Sequence, residues 1–288
     1  MFERIRRGWG IAKASWAVVE KHPKLLLFPI FSGLAFIALL AAIGMSVFAG
    51  SKSDSLRHLV DGMQPDGPAM WAALFVFYFV CTFIMVFFNA ALIFCAMQSF
   101  AGKEPSLRAG LATAAGRLPQ ILAWSFLAAT VGLVLNAIQN FLKDKLGFLG
   151  SLLGGFLEFG WAVVTYFVVP VLVVEAVGPV DAVKRSSSIL KKTWGESVGG
   201  EGGLGLISFL LFLPAIILAV AFGAIGAAAS MPVMFILVGL IGLYMVGLTV
   251  VFTALGTIFR TGAYIYATTG QAPSAMDAGL LQSAFKKK

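Results

Sequence analysis

Charge is scarce in this sequence. Asp, Glu, Lys and Arg make up 12% of the 288 residues, against 59% hydrophobic residues and a mean hydropathy of +0.93. That balance excludes a water-soluble domain and indicates an integral membrane protein. Histidine and cysteine are nearly lacking too: two of each, with no clustered acids, provide no ligand set for zinc, and no GxxxxGK[ST] run exists to cradle a nucleotide phosphate. No cofactor is expected. Cys81 and Cys95 would stand about 21 Å apart along one helix, which excludes a disulfide between them. Missing as well is any alternation of apolar and polar residues of the kind a barrel strand needs, so helices must satisfy the backbone inside lipid.

What is present is a set of long apolar runs. A bilayer core about 30 Å thick takes about 20 such residues to cross. Six runs reach that length: Leu25 to Phe48, Ala69 to Phe94, Leu118 to Ala137, Leu152 to Glu175, Leu204 to Ala229 and Pro232 to Phe259. The first lies too far from Met1, and is too long, for a cleavable signal. The expectation is an all-α polytopic protein, 1–288 forming a single transmembrane domain of six spans.

Basic residues set the orientation. Arg4, Arg6, Arg7, Lys13, Lys21, Lys24, Lys103, Arg108, Arg117, Lys184, Arg185, Lys191, Lys192, Arg260 and Lys286 to Lys288 fall on one side, 17 of the 21 in the chain. Lys52, Arg57, Lys143 and Lys145 fall on the other, so both termini are expected in the cytoplasm. The net charge of +8 then serves topology and attraction to anionic headgroups, the expected partners. Nucleic acid is not expected, because aromatics are not interleaved with these charges outside the membrane-facing stripes.

The cytoplasmic segments carry their own pattern. Phe2, Ile5, Trp9, Ala12, Trp16 and Val19 recur at spacings of three and four, as an amphipathic interfacial helix requires, and Pro23 stops that helix before the first span. Val180, Val183, Leu190 and Trp194 repeat the pattern after Glu175. Lying on lipid and packing on the protein's own helices are both compatible with such a face. Three junctions resemble one another: "GKEPSLRAGLATA", "GPVDAVKRSSSIL" and "GQAPSAMDAGLLQSAF" each place a glycine at the end of a span, then a proline, then a new helix. They suggest a threefold repeat of an interfacial helix and two spans, roughly 1–101, 102–177 and 178–270, with an amphipathic tail at 271–288.

"RRGWGIAKASW", "FFNAALIFCAMQSFAGKEPSLRAGL", "FVVPVLVVEAVGPVDAVKRSSSILKKTWGE" and "GTIFRTGAYIYATTGQAP" together resemble a family of prokaryotic six-span membrane proteins classified as a domain of unknown function. More faintly, the chain is similar to the membrane-anchor domains attached to some glycerophosphodiester phosphodiesterases, without a phosphodiesterase domain. The resemblance implies the fold class and a prokaryotic inner membrane. It implies no activity and no functional residues.

Two letter-matches to enzyme motifs lack their context. "GESVG", Gly195 to Gly199, fits a nucleophile elbow around Ser197, but that elbow needs a preceding strand and a triad. "GEGGLG", Gly200 to Gly205, fits a dinucleotide fingerprint without any βαβ unit and reads as a flexible joint. The chain is therefore expected not to be an enzyme.

Polar residues inside spans are the remaining candidates. Glu158 lies about two turns into the fourth run, where a carboxylate needs water, a proton or a partner. It either pairs with Lys143 or Lys145 or handles a solute or proton. Asn89, Asn136, Gln98 and the stripe Thr249, Thr253 and Thr257 suit interhelical hydrogen bonds, each worth about 0.6 kcal/mol. Glu175, Gly178 and Pro179 form a structural junction, with Glu175 expected to pair with a basic residue of an interfacial helix. The favoured role is a membrane-organising component that binds lipid or a protein partner, a second copy included. Trp9, Trp16 and Trp194 would anchor it, and Arg6, Arg7, Lys184, Arg185, Lys191 and Lys192 would meet headgroups or an acidic partner. The alternative is a channel or transporter for a small solute, using Glu158 and Asn89.

Overall fold

The computed structural model describes the backbone of residues 2–51, 67–193, 197–225, 231–271 and 273, and the side chains of 12–48, 67–191, 204–220, 235–271 and 273. Trp194 and the tail beyond 273 lie outside the described residues, as do the side chains of Arg6, Arg7, Trp9 and Lys192. Among the described residues the regular structure is helical throughout. In chain order it comprises α1 (Phe2–Lys21), a 3-10 turn (Pro23–Leu26), α2 (Leu27–Ser51), α3 (Pro68–Phe100), α4 (Leu107–Gly116) and α5 (Leu118–Leu146). Then follow α6 (Phe148–Val164), α7 (Val168–Glu175), α8 (Pro179–Thr193), α9 (Ser197–Ile225) and α10 (Met231–Thr269).

Five stretches are long and apolar enough to cross a membrane: Pro23–Phe48, Pro68–Phe100, Leu118–Leu146, Phe148–Glu175 and Phe235–Thr269. They overlap five of the six runs expected from the sequence. The remaining run falls in α9, whose described apolar part, Leu204–Val220, is shorter. "GEGGLG" is not the flexible joint expected of it but belongs to the first turns of α9. A segment leading into lipid satisfies its backbone by staying helical.

Helix stops follow local backbone chemistry. At the end of α3, Gly102 takes φ +72°, and the Lys103 N–H reaches back to the Gln98 carbonyl at 2.9 Å. Gly270 ends α10 likewise at φ +73°. At these two places glycine occupies the left-handed position that closes a helix at no steric cost. After α7 the residue that does so is Ala176, at φ 55°. Gly178 instead accepts the first bond of α8 from the Ala182 N–H, with Pro179 at the first helical position.

The helices form two compact units, each discontinuous in sequence. One comprises Ile30–Ala91 and Gly110–Ser188. Its central feature is the antiparallel pair α5 and α6, joined through Gly147 alone, at φ +56°. A Cβ at Gly150 would collide with the Leu142 carbonyl, and one at Gly154 would press on the Gln139 side chain. Two glycines four residues apart thus let the backbones touch, as close packing in a membrane favours. Farther from the turn the pair is held by Trp124 stacked on Trp161, ring centroids 6.1 Å apart. Buried residues gather in 86–91, 121–129, 163–173 and 182–186, whereas Leu34, Ile37, Val76, Phe141, Phe156 and Phe159 are exposed. Large exposed apolar surface of this extent marks contact with lipid.

The other unit comprises Met1–Pro29, Leu92–Ala109 and Ile189–Lys288. Here α1 packs on α9 and α10, and α9 packs on α10. Ser15, Val18 and Val19 of α1 are buried while Trp16 is 44% exposed. Of the expected stripe, Val19 thus faces inward beside Ser15 and Val18, whereas Trp16 does not. Tyr244 Oη donates to the Leu211 carbonyl at 2.9 Å, tying α10 to α9.

Candidate functional site

The polar groups that the sequence places at the end of the fourth run converge around α7. Pro170 cannot donate to the carbonyl four residues back, and its ring would clash with that carbonyl, so a helix continuing through it breaks. The break falls at 165–167, between α6 and α7. Ser186 of α8, fully buried, closes it: the Phe167 N–H donates to Ser186 Oγ at 3.0 Å, and Ser186 Oγ donates to the Val164 carbonyl at 2.7 Å. One hydroxyl thus satisfies two of the backbone groups at the break, the Phe167 N–H and the Val164 carbonyl. At the other end of α7, Arg117 Nε donates to the Val173 carbonyl at 3.3 Å, a cation at a helix C-terminus where the dipole favours it. Arg185 Nε reaches both carboxylate oxygens of Glu175, at 2.9 and 3.2 Å.

This arrangement sorts the basic residues of α8. Arg185 is occupied by Glu175. Lys184 and Lys191, seven positions apart and so nearly on one face, are exposed; Lys184 makes only a 3.6 Å contact to an equally exposed Asp181. Ala182, Ser186, Ile189 and Leu190 are buried, whereas Val180 is 55% exposed. The apolar face of α8 is thus covered by protein and centred on Ala182, Ser186 and Ile189, which corrects the stripe drawn through Val180.

Glu158 stands elsewhere. It is exposed on α6, and among the described residues it forms no ion pair with Lys143 or Lys145. The hairpin register explains this: Gly150 faces Leu142 and Gly154 faces Gln139, which leaves Glu158 about 12 Å along the axis from the level of Lys143. Asn89 is half-buried on α3 and engaged with neighbouring groups. The structure does not bring Glu158 to the α7 junction, and no group of three or more metal-ligating side chains occurs among the described residues. Sequence reasoning missed Ser186 and Arg117. For Ser186 the signal was its place in the stripe Ala182, Ser186 and Ile189; for Arg117 there was none.

The model of a family of unknown function, DUF6159, matches residues 68–274. The chain belongs to that family. The DUF6159 match opens at the first residue of α3 and takes in the whole α7 junction, Lys184 and Lys191 of α8, and α9 and α10. Neither a curated protein nor a solved structure matches the chain.

Proposed function

We propose that this DUF6159 member is a non-enzymatic, membrane-organising protein of a prokaryotic inner membrane, binding anionic lipid headgroups at its cytoplasmic side. In this reading α9 is the sixth span, both termini are cytoplasmic, and the chain follows a threefold plan of amphipathic interfacial helix plus two spans. The observation that carries it is the Lys184 and Lys191 face of α8: exposed, basic, and backed by a buried face whose contacts hold the helix in register. Each basic residue near an anionic leaflet adds about 1 kcal/mol of attraction. The reading as a small-solute channel or transporter draws no comparable support. Broken spans in transporters leave backbone groups to hold solute, and here Ser186 takes two of them, the Phe167 N–H and the Val164 carbonyl.

The test uses the full chain reconstituted in vesicles of mixed zwitterionic and anionic phospholipid. Enrichment of anionic lipid around the protein is read by fluorescence quenching from a labelled phosphatidylglycerol. Lys184→Glu with Lys191→Glu should lower that preference by at least about 2 kcal/mol, roughly thirtyfold. An unchanged preference rejects the proposal. Arg185 is left intact, because reversing it would break the junction with Glu175 and confound the readout.

A further inference from the structure

Between α9 and α10 lies an open slot of about 330 Å³, at the small end of ligand-sized cavities. Gly205, Ser208 and Phe212 line it from α9, and Thr249, Thr253 and Gly256 from α10. Each set spans two turns of one helix face, so the slot runs about 11 Å along the helices. The two glycines stand at one end, with Leu204 beside Gly205. At the other end the Tyr244 bond to the Leu211 carbonyl pins the helices together. Arg260, one turn beyond Gly256, is the charge that marks the interfacial end of this span. The glycine end of the slot therefore lies toward the headgroups, and the Tyr244 end lies deeper in the hydrocarbon.

Its chemistry selects the guest. No charged side chain lines it, which excludes ions, and its lining is mainly apolar. Thr249 spends its hydroxyl on the Met245 carbonyl at 2.8 Å and so presents its methyl group. Ser208 and Thr253 differ: among the described residues their hydroxyls have no hydrogen-bond partner. A hydroxyl facing hydrocarbon without a partner is costly, so these two donors call for an acceptor that lipid itself carries just below the headgroup. We infer that the slot binds one acyl chain of a bilayer phospholipid, with the ester carbonyl accepting from Ser208 and Thr253. The site is independent of the basic surface on α8.

The experiment uses the full chain in nanodiscs of zwitterionic phosphatidylcholine containing a diazirine-tagged acyl chain, so that headgroup charge plays no part. After photolysis, adducts are mapped by mass spectrometry. Labelling of 204–212 and 249–256 should exceed that of an outward stretch such as 40–48 by about tenfold, a difference an ordered site gives and bulk lipid contact does not. Gly205→Leu fills the slot from a position where an added Cβ meets nothing within 4 Å, and it should abolish the excess. Thr253→Leu narrows the slot from the opposite helix and serves if the first variant fails to melt like the parent protein. Thr253→Val should lower labelling by an ester-linked lipid severalfold while leaving an ether-linked analogue, which lacks the carbonyl, unchanged. Uniform labelling, or an excess that survives both filling variants, overturns the site. Equal sensitivity of ester and ether lipids to Thr253→Val overturns the role of the hydroxyls.

Discussion

Ser186 is the residue on which the α7 junction most depends, because a buried hydroxyl there replaces two backbone hydrogen bonds. Ser186→Ala leaves the buried Phe167 N–H without a partner, a cost of about 1–3 kcal/mol. Thermal unfolding in detergent should show the loss, and a variant as stable as the parent would mean that the break between α6 and α7 relaxes without help. The Glu175 to Arg185 contact ranks lower. Its side chains are 26% and 45% exposed, so screening by water limits it to about 1 kcal/mol or less. Its use is positional: it ties the last residue of α7 to α8 across a turn in which Ala176 accepts the left-handed conformation that a glycine would take more cheaply. The sequence shows that Glu175 needs a basic partner. It does not show which one, since Arg185 and Lys184 are adjacent in the chain and differ only in which face of α8 they occupy.

At the scale of elements, the α5 and α6 hairpin depends on two glycines that composition does not distinguish from the other thirty. Gly150→Ala places a Cβ against the Leu142 carbonyl, and over-packing of that kind costs about 1–3 kcal/mol. Gly155→Ala, next to Gly154 but with nothing within 4 Å of an added Cβ, should be neutral to within about 0.5 kcal/mol. Chemical unfolding of the two variants side by side checks the pair, and equal effects would mean that the helices do not meet at Gly150. The letters G-x-x-x-G stand at 150–154, but only the partner helix of the hairpin, α5, decides that these glycines are in contact and Gly155 is not. The end of α7 was legible for a different reason. Gly and Pro act on their own backbone, so the sequence locates the stop within two residues and errs only in assigning it to Gly178 when Ala176 makes the turn.

For the whole molecule, the number of spans decides the topology. Five candidate spans put the two termini on opposite faces of the membrane; counting α9, as proposed, puts them on the same face. Reporter fusions at the two ends, one active only in the cytoplasm and one only outside, should both report cytoplasm. A C-terminal reporter active outside would remove α9 from the membrane. Membrane class, helical content and the approximate limits of five spans follow from sequence alone, because they depend on apolar length against bilayer thickness and on the short-range behaviour of Gly and Pro. The tertiary structure alone decides which polar groups are spent and which are available. Arg117 is engaged by a carbonyl 56 residues away, Arg185 by Glu175, and Ser186 by a helix break, while Lys184 meets only Asp181 on its own helix. That sorting rests on contacts between segments far apart in the chain, and hydropathy, which weighs each residue by itself, carries no record of them.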